Sequence, residues 1–193
     1  NEGKRVLKLE DLKYANFGYN KNLILGKIFE KNFKVNLDKQ FKSIVFSIQN
    51  SGINAEINFN DNKKNNKKSG TFKSKIINTN IKLNFDYDDN ILKITNFNLR
   101  NKNISFKNES FVVFKPFSQI NSRFDIQEFD KKIFKIINLN DLISEKDILK
   151  KIFIKSEIYF TPKKFYQIPF NDLTLDVNLA YGRINYFKKI EIP

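Results

Sequence analysis

Alternation of apolar and polar residues with period two runs through most of this chain, and it dictates how the backbone is used. Successive side chains of an extended strand point to opposite faces, so strict alternation describes a strand with one apolar and one polar face. Ile53, Ala55, Ile57 and Phe59 alternate with Asn54, Glu56 and Asn58. Ile77, Thr79, Ile81, Leu83, Phe85 and Tyr87 alternate with Asn78, Asn80, Lys82, Asn84 and Asp86. Leu173, Leu175, Val177, Leu179 and Tyr181 alternate with Thr174, Asp176, Asn178 and Ala180. Shorter versions occur at Ile44–Phe46–Ile48, Ile104–Phe106, Phe124–Ile126 and Ile158–Phe160. Half-buried strands of this kind belong to antiparallel sheets.

The punctuation agrees. Asp88-Asp89-Asn90 reads as a hairpin turn, and Asn50-Ser51-Gly52 and Ala180-Tyr181-Gly182-Arg183 supply two more. Residues 61–70 (DNKKNNKKSG) read as an exposed loop of low complexity. Two segments break the strand pattern. Leu23, Ile24, Ile28 and Phe29 give 21–32 the spacing of a short helix, which Gly26 weakens. In 140–152, Ser144 and Asp147 resemble a capping box, and Ile148, Leu149 and Ile152 follow at helical spacing, so a short helix is expected there. The expected class is mainly β, a β-dominated α+β fold of roughly ten to twelve strands with one or two short helices. No shift in composition divides residues 1–193, which read as one β-rich segment. The chain opens at Asn1 without an initiator Met and stops at Pro193 inside an alternating run, so a segment of a larger protein is expected.

The composition removes whole classes of chemistry. There is no His and no Cys among the 193 residues. Serine-histidine and cysteine-histidine nucleophiles, thiolate metal sites and disulfides are therefore excluded. Asp86, Asp88 and Asp89 with Asn90 form the densest oxygen-ligand cluster, but the glycine and the distal bidentate Glu of a calcium loop are missing, and a plain turn is the better reading. Lys42 with Ser43, and Lys155 with Ser156, are neighbours on strands and point to opposite faces, so neither forms a Ser-Lys dyad. The six glycines form no phosphate-binding loop. No catalytic constellation and no cofactor site is visible, and an enzyme is not expected.

Two features ask for a partner. The formal charge of +14 suits an anionic surface, although a Lys-, Asn-, Ile- and Phe-rich composition of the AT-rich-genome kind also inflates it. Nucleic acid is the weaker choice, because the aromatics share strand faces with the aliphatic residues instead of lying beside the lysines. The run from Ile77 to Tyr87 spans about 36 Å if fully extended, longer than an ordinary strand. A long, curved antiparallel sheet with one continuous apolar face must cover that face with a second sheet, helices or ligand. The residues expected to line it are Ile77, Ile81, Leu83, Phe85, Leu173, Leu175, Val177 and Leu179. Lys63, Lys64, Lys67 and Lys68 are the candidate headgroup-attracting cations.

The C-terminal third resembles the closing region of the AsmA family of bacterial envelope proteins. The resemblance rests on Leu139-Asn140-Asp141-Leu142 with a helix to Leu149, on Ile152–Phe160 as a strand, and on Tyr166-Gln167-Ile168-Pro169-Phe170. It continues through the alternating strand, turn glycine and return strand of Leu173–Ile184. Ser69-Gly70-Thr71-Phe72 followed by 77–87 is also similar to the family's repeated strands, and the likeness covers about 53–192. The Lys/Asn/Phe bias and the lack of the family's N-terminal membrane anchor depart from the pattern. The resemblance implies a curved β-groove in the periplasm, anchored to the inner membrane through a segment outside this chain. It further implies that phospholipid or another acyl lipid is conducted between inner and outer membrane, in outer-membrane biogenesis. The expected partners are that lipid, an anionic membrane surface and the rest of the parent chain. A closed structural β-module for protein docking and a basic nucleic-acid-binding domain are the alternatives.

Overall fold

A computed structural model describes residues 9–16, 21–60, 67–130, 150–160 and 172–191. Thirteen strands follow one another: β1 (Leu9–Asn16), β2 (Lys21–Ile28), β3 (Lys31–Asp38), β4 (Ser43–Ile48), β5 (Ile53–Phe59), β6 (Lys68–Ile76) and β7 (Thr79–Asp88). They continue with β8 (Ile91–Arg100), β9 (Ile104–Val113), β10 (Ser118–Phe129), β11 (Ile152–Phe160), β12 (Asp172–Ala180) and β13 (Arg183–Glu191). Their order in space is their order in sequence, in one sheet. Every neighbouring pair is antiparallel except β10 and β11, which run parallel with Ser118 opposite Ile152.

The register shows why the alternation matters. One row crosses all thirteen strands through directly paired residues: Tyr14, Ile24, Val35, Phe46, Ala55, Ser74, Ile81, Leu99, Phe106, Ile126, Phe160, Leu173 and Ile190. Ser74 is its only polar member. The row beside it, on the opposite face, ends in Glu56, Lys73, Lys82, Asn98, Lys107, Asp125, Tyr159, Thr174 and Lys189. Paired residues share a face. The opposite row opens on Ala15, Leu23, Asn36 and Val45, so its polar character begins at β5. In β13, Phe187 lies on the polar face and Lys188 on the apolar one.

Bulges hold the pattern in phase. In β8, Leu92 and Ile94 are followed by Phe97 and Leu99, so the apolar residues change parity. The register shifts there, between Ile94 and Phe97, with Asn96 at a φ of 50°. One extra residue returns Phe97 and Leu99 to the apolar face. β10 does the same between Ile126 and Glu128, which brings Phe129 opposite Ile104.

No second layer exists among the described residues. Every substantial contact between elements joins strands adjacent in the sheet. Phe33 and Leu179 are the only buried hydrophobic residues among those described, at 5% and 6% exposure. The chain exposes 15150 Å², whereas a compact monomer of its 22.9 kDa would expose about 9600 Å².

Two expectations are corrected, and a third falls mostly outside the described residues. None of the described residues is helical, and 21–32 is β2, a two-residue turn and the start of β3. Ile24 and Ile28 lie on the apolar face with Asn22 and Gly26, while Leu23 and Leu25 lie on the other, which leaves the apolar spacing ambiguous between helix and strand. Gly26 pairs with Phe33, and a Cβ there would stand 2.8 Å from the ring, so the glycine seats that ring. Most of the helix expected over 140–152 lies outside the described residues, and Ile152 opens β11. The loop expected over 61–70 ends earlier, because Lys68–Gly70 are strand and Ser69 and Gly70 are buried. Residues 61–66 lie outside the described residues.

The hairpin turns match the sequence at Asp89-Asn90 and at Tyr181-Gly182, where both φ angles are positive (53° and 72°), as a type I′ turn requires. Ile77 does not begin a strand. It occupies the β6–β7 turn at a φ of 56°, where its N–H donates to the Gly52 carbonyl at 2.9 Å. A β-branched residue in the left-handed region is strained. Ile77→Asn is accordingly expected to raise unfolding stability by about 1 kcal/mol. Gly70→Val is expected to lower it by about 1–3 kcal/mol, because a Cβ at Gly70 collides with the Asn58 carbonyl and stands 2.8 Å from the Phe85 ring. Urea unfolding followed by circular dichroism measures both.

Candidate functional site

The site is the apolar face itself. Twelve inter-strand spacings of about 4.8 Å make it about 58 Å long, and strands of eight or so residues make it about 27 Å wide. The footprint of the whole face is roughly 1,500 Å². Its side chains are half-buried by one another. Phe59 meets Phe85 edge to face at 5.8 Å, Phe97 stacks on Phe106 at 5.5 Å, and Phe106 reaches Phe124 at 5.6 Å. All these contacts run sideways within the sheet, and nothing described lies above them.

Seven of the eight expected lining residues lie on this face. Ile81, Leu83 and Phe85 come from β7, and Leu173, Leu175, Val177 and Leu179 from β12. The chain of paired residues that links Ile81 to Leu173 puts both sets on one side, five strands and about 24 Å apart. Ile77 stands apart, 61% exposed in its turn. Sequence reasoning left out the rest of the face: Ile24, Val35 and Phe46 on one flank, and Phe106, Ile126 and Phe160 at the centre. Most of these belong to short alternations of two or three residues whose pairing partners only the register reveals.

A polar strip interrupts the face near the parallel junction. Ser110, Ser122 and Ser156 lie in one row across β9, β10 and β11, between Ile94 and Val177. The Ser122 and Ser156 hydroxyls are hydrogen-bonded at 2.8 Å. Ser110 donates to Asn108 Oδ1 at 2.6 Å, and buried Asn108 donates through Nδ2 to the Arg123 carbonyl at 3.0 Å. These groups satisfy one another, so the strip lowers the floor of the face without leaving open polar valences.

Of the candidate headgroup lysines, Lys63 and Lys64 lie outside the described residues. Lys67 pairs with Asp88 at 3.1 Å, and Lys68 is exposed opposite Tyr87 at the same end of the strands. Asp86, Asp88 and Asp89 converge on no metal position, and no group of three or more potential ligands does so among the described residues.

The polar face sets charged and aromatic side chains beside one another. Arg123 lies in register between Glu109 and Glu157, and its guanidinium sits 4.5 Å from the centre of the Tyr159 ring. Tyr159 donates to Glu157 Oε2 at 3.1 Å. Beside this cluster is a shallow depression of about 480 Å³, lined by Lys93, Phe111, Asn121, Arg123 and Lys155 among others. Such a charged, shallow surface is suited to stay wet.

No family model, no curated protein and no solved structure matches this chain. Its function is therefore argued from the geometry.

The hydrogen bond to Glu157 is the main reason the Tyr159 phenol titrates above its ordinary value of 10.0, with desolvation and the Glu157 charge adding to it and Arg123 opposing it. A raised value means that the phenol's contribution to stability is present below pH 10 and is lost as pH rises through the folded-state value. Glu157→Gln is expected to shift the phenolate absorbance transition down toward the ordinary value.

Proposed function

We propose that this chain is a non-catalytic lipid-handling segment whose apolar face lies against the acyl chains of phospholipid. The observation that carries the reading is the row from Tyr14 to Ile190, which is apolar in all but one of thirteen strands and is uncovered among the described residues. Backbone groups are paired within the sheet, so the face can exchange one apolar covering for another without breaking hydrogen bonds. Each methylene that leaves water against it contributes about 0.8 kcal/mol. In this reading the sheet curves around its cargo as a groove, and no bond is made or broken. The place of work is the periplasm, between inner and outer membrane, as in the AsmA-like proteins that the strand pattern resembles. A closed docking module would need a second layer over the same face, and the described residues supply none.

Native mass spectrometry with lipid extraction, on the chain purified from bacterial cells, tests this. Bound phospholipid is expected, and Phe85→Asp or Leu175→Asp is expected to remove most of it. Both side chains are half-buried, so both variants should still show a β-sheet spectrum and a cooperative melt. A wild-type chain free of lipid, or folded variants that retain it, would overturn the proposal.

A further inference from the structure

The strand order brings two different sets of turns to the two long edges of the sheet. At one edge lie 39–42, Lys67, Asp89-Asn90, 114–117, Lys150-Lys151 and Tyr181-Gly182. The parallel step matters here, because pairing Ser118 with Ile152 puts Lys150 and Lys151 at the same edge as the 114–117 turn. At the other edge lie Phe29-Glu30, 49–52, Ile77-Asn78, 101–103 and Asp130.

The edges differ in charge and in aromatic content. Among the described residues, the turns of the first hold six lysines, of which Lys67 is paired with Asp88, against Asp89, whereas those of the second hold Lys102 against Glu30 and Asp130. Phe41, Phe114, Phe117 and Tyr181 stand in the turns of the first edge at 58%, 44%, 62% and 75% exposure. Among the described residues, Phe29 is the one aromatic in the turns of the second. The lysine-rich edge is also firmly built. Asn90 donates through Nδ2 to the Lys115 carbonyl at 2.7 Å, and its own carbonyl accepts the Phe114 N–H at 2.9 Å. The Phe114 ring meets Tyr87 at 6.3 Å, and Tyr181 meets Phe153 at 5.1 Å.

Exposed aromatics interleaved with lysines along a line fit the headgroup region of an anionic bilayer. Aromatic rings settle at the membrane–water boundary, and lysines are drawn to acidic headgroups. We propose that this edge docks on an anionic phospholipid bilayer, with the strands standing away from the surface and the apolar face opening at the contact. The inference rests on the lipid-handling reading and adds to it which edge meets the membrane.

Co-sedimentation of the 193-residue chain with vesicles of phosphatidylcholine containing 30% phosphatidylglycerol, and with pure phosphatidylcholine vesicles, tests the assignment. Binding is expected to the anionic vesicles alone. Combining Lys39→Gln, Lys115→Gln and Lys151→Gln should weaken it on the order of 100-fold. Phe41→Ser with Phe117→Ser should weaken it at least fivefold, while Phe29→Ser with Lys102→Gln at the opposite edge should change it less than twofold. Circular dichroism confirms that each variant folds. Equal losses from both edges, absence of wild-type binding, or displacement of the vesicles by a single-stranded RNA oligomer at equal charge would overturn the proposal. Bound lipid is measured in the same samples. A chain that docks through this edge yet carries no lipid refutes the lipid-handling reading and leaves the edge assignment standing. Bound lipid with no edge-dependent docking does the reverse.

Discussion

The ladder of backbone hydrogen bonds between successive strands is the interaction on which everything else here depends. In most domains the hydrophobic core closes the structure, and the backbone ladder organises what the core has gathered. Here the ladder joins thirteen strands in sequence order, and among the described residues the apolar side chains gain what their lateral neighbours cover. Because the peptide groups are satisfied by adjacent strands, an apolar face can stay unpacked without orphaned donors or acceptors beneath it. A helical protein of the same composition would have no equivalent, since its apolar stripe must meet another element before the fold has any stability. The open face and the meandering order are thus two aspects of one arrangement.

That arrangement tolerates no loss of phase. A single-residue slip moves every later apolar residue in a strand to the wet side. The bulges in β8 and β10 fall where the apolar spacing lengthens from two residues to three, at Ile94–Phe97 and Ile126–Phe129. Seating residues have the same purpose: Gly26 admits the Phe33 ring, and Gly70 admits that of Phe85. The polar face is organised by charge instead, with Arg123 set between Glu109 and Glu157, and the two faces make separate demands on alternate residues of the same strands.

Much of this was legible in the sequence, for a physical reason. In Leu173–Leu179 and Ile81–Phe85 the period of two is strict, and the face assignment follows from geometry alone. The legibility fails where two signals compete. Ile77 is a strong strand former, yet the hairpin connection claims it, and it takes a left-handed conformation that its side chain disfavours. In 21–32 apolar residues lie on both sides of β2, and such a run has no unique period. The parallel pairing of β10 with β11 has no local signature, because alternation is the same in either strand direction. The lysine-rich edge was half visible. Lys67 and Lys68 marked it, but the turns that share it are far apart in sequence and come together only through the strand order.

Because the substantial contacts of each described strand are with the strands beside it, the architecture has no natural size. A globular core fixes how many elements can surround it, whereas a row of nearest-neighbour contacts behaves as a one-dimensional polymer whose stability accumulates segment by segment. Hairpins can be added or lost in evolution without redesign of an interior, provided each new strand keeps the phase of the last. Length then becomes a free variable, set by how many strands are added and not by the volume a core must fill.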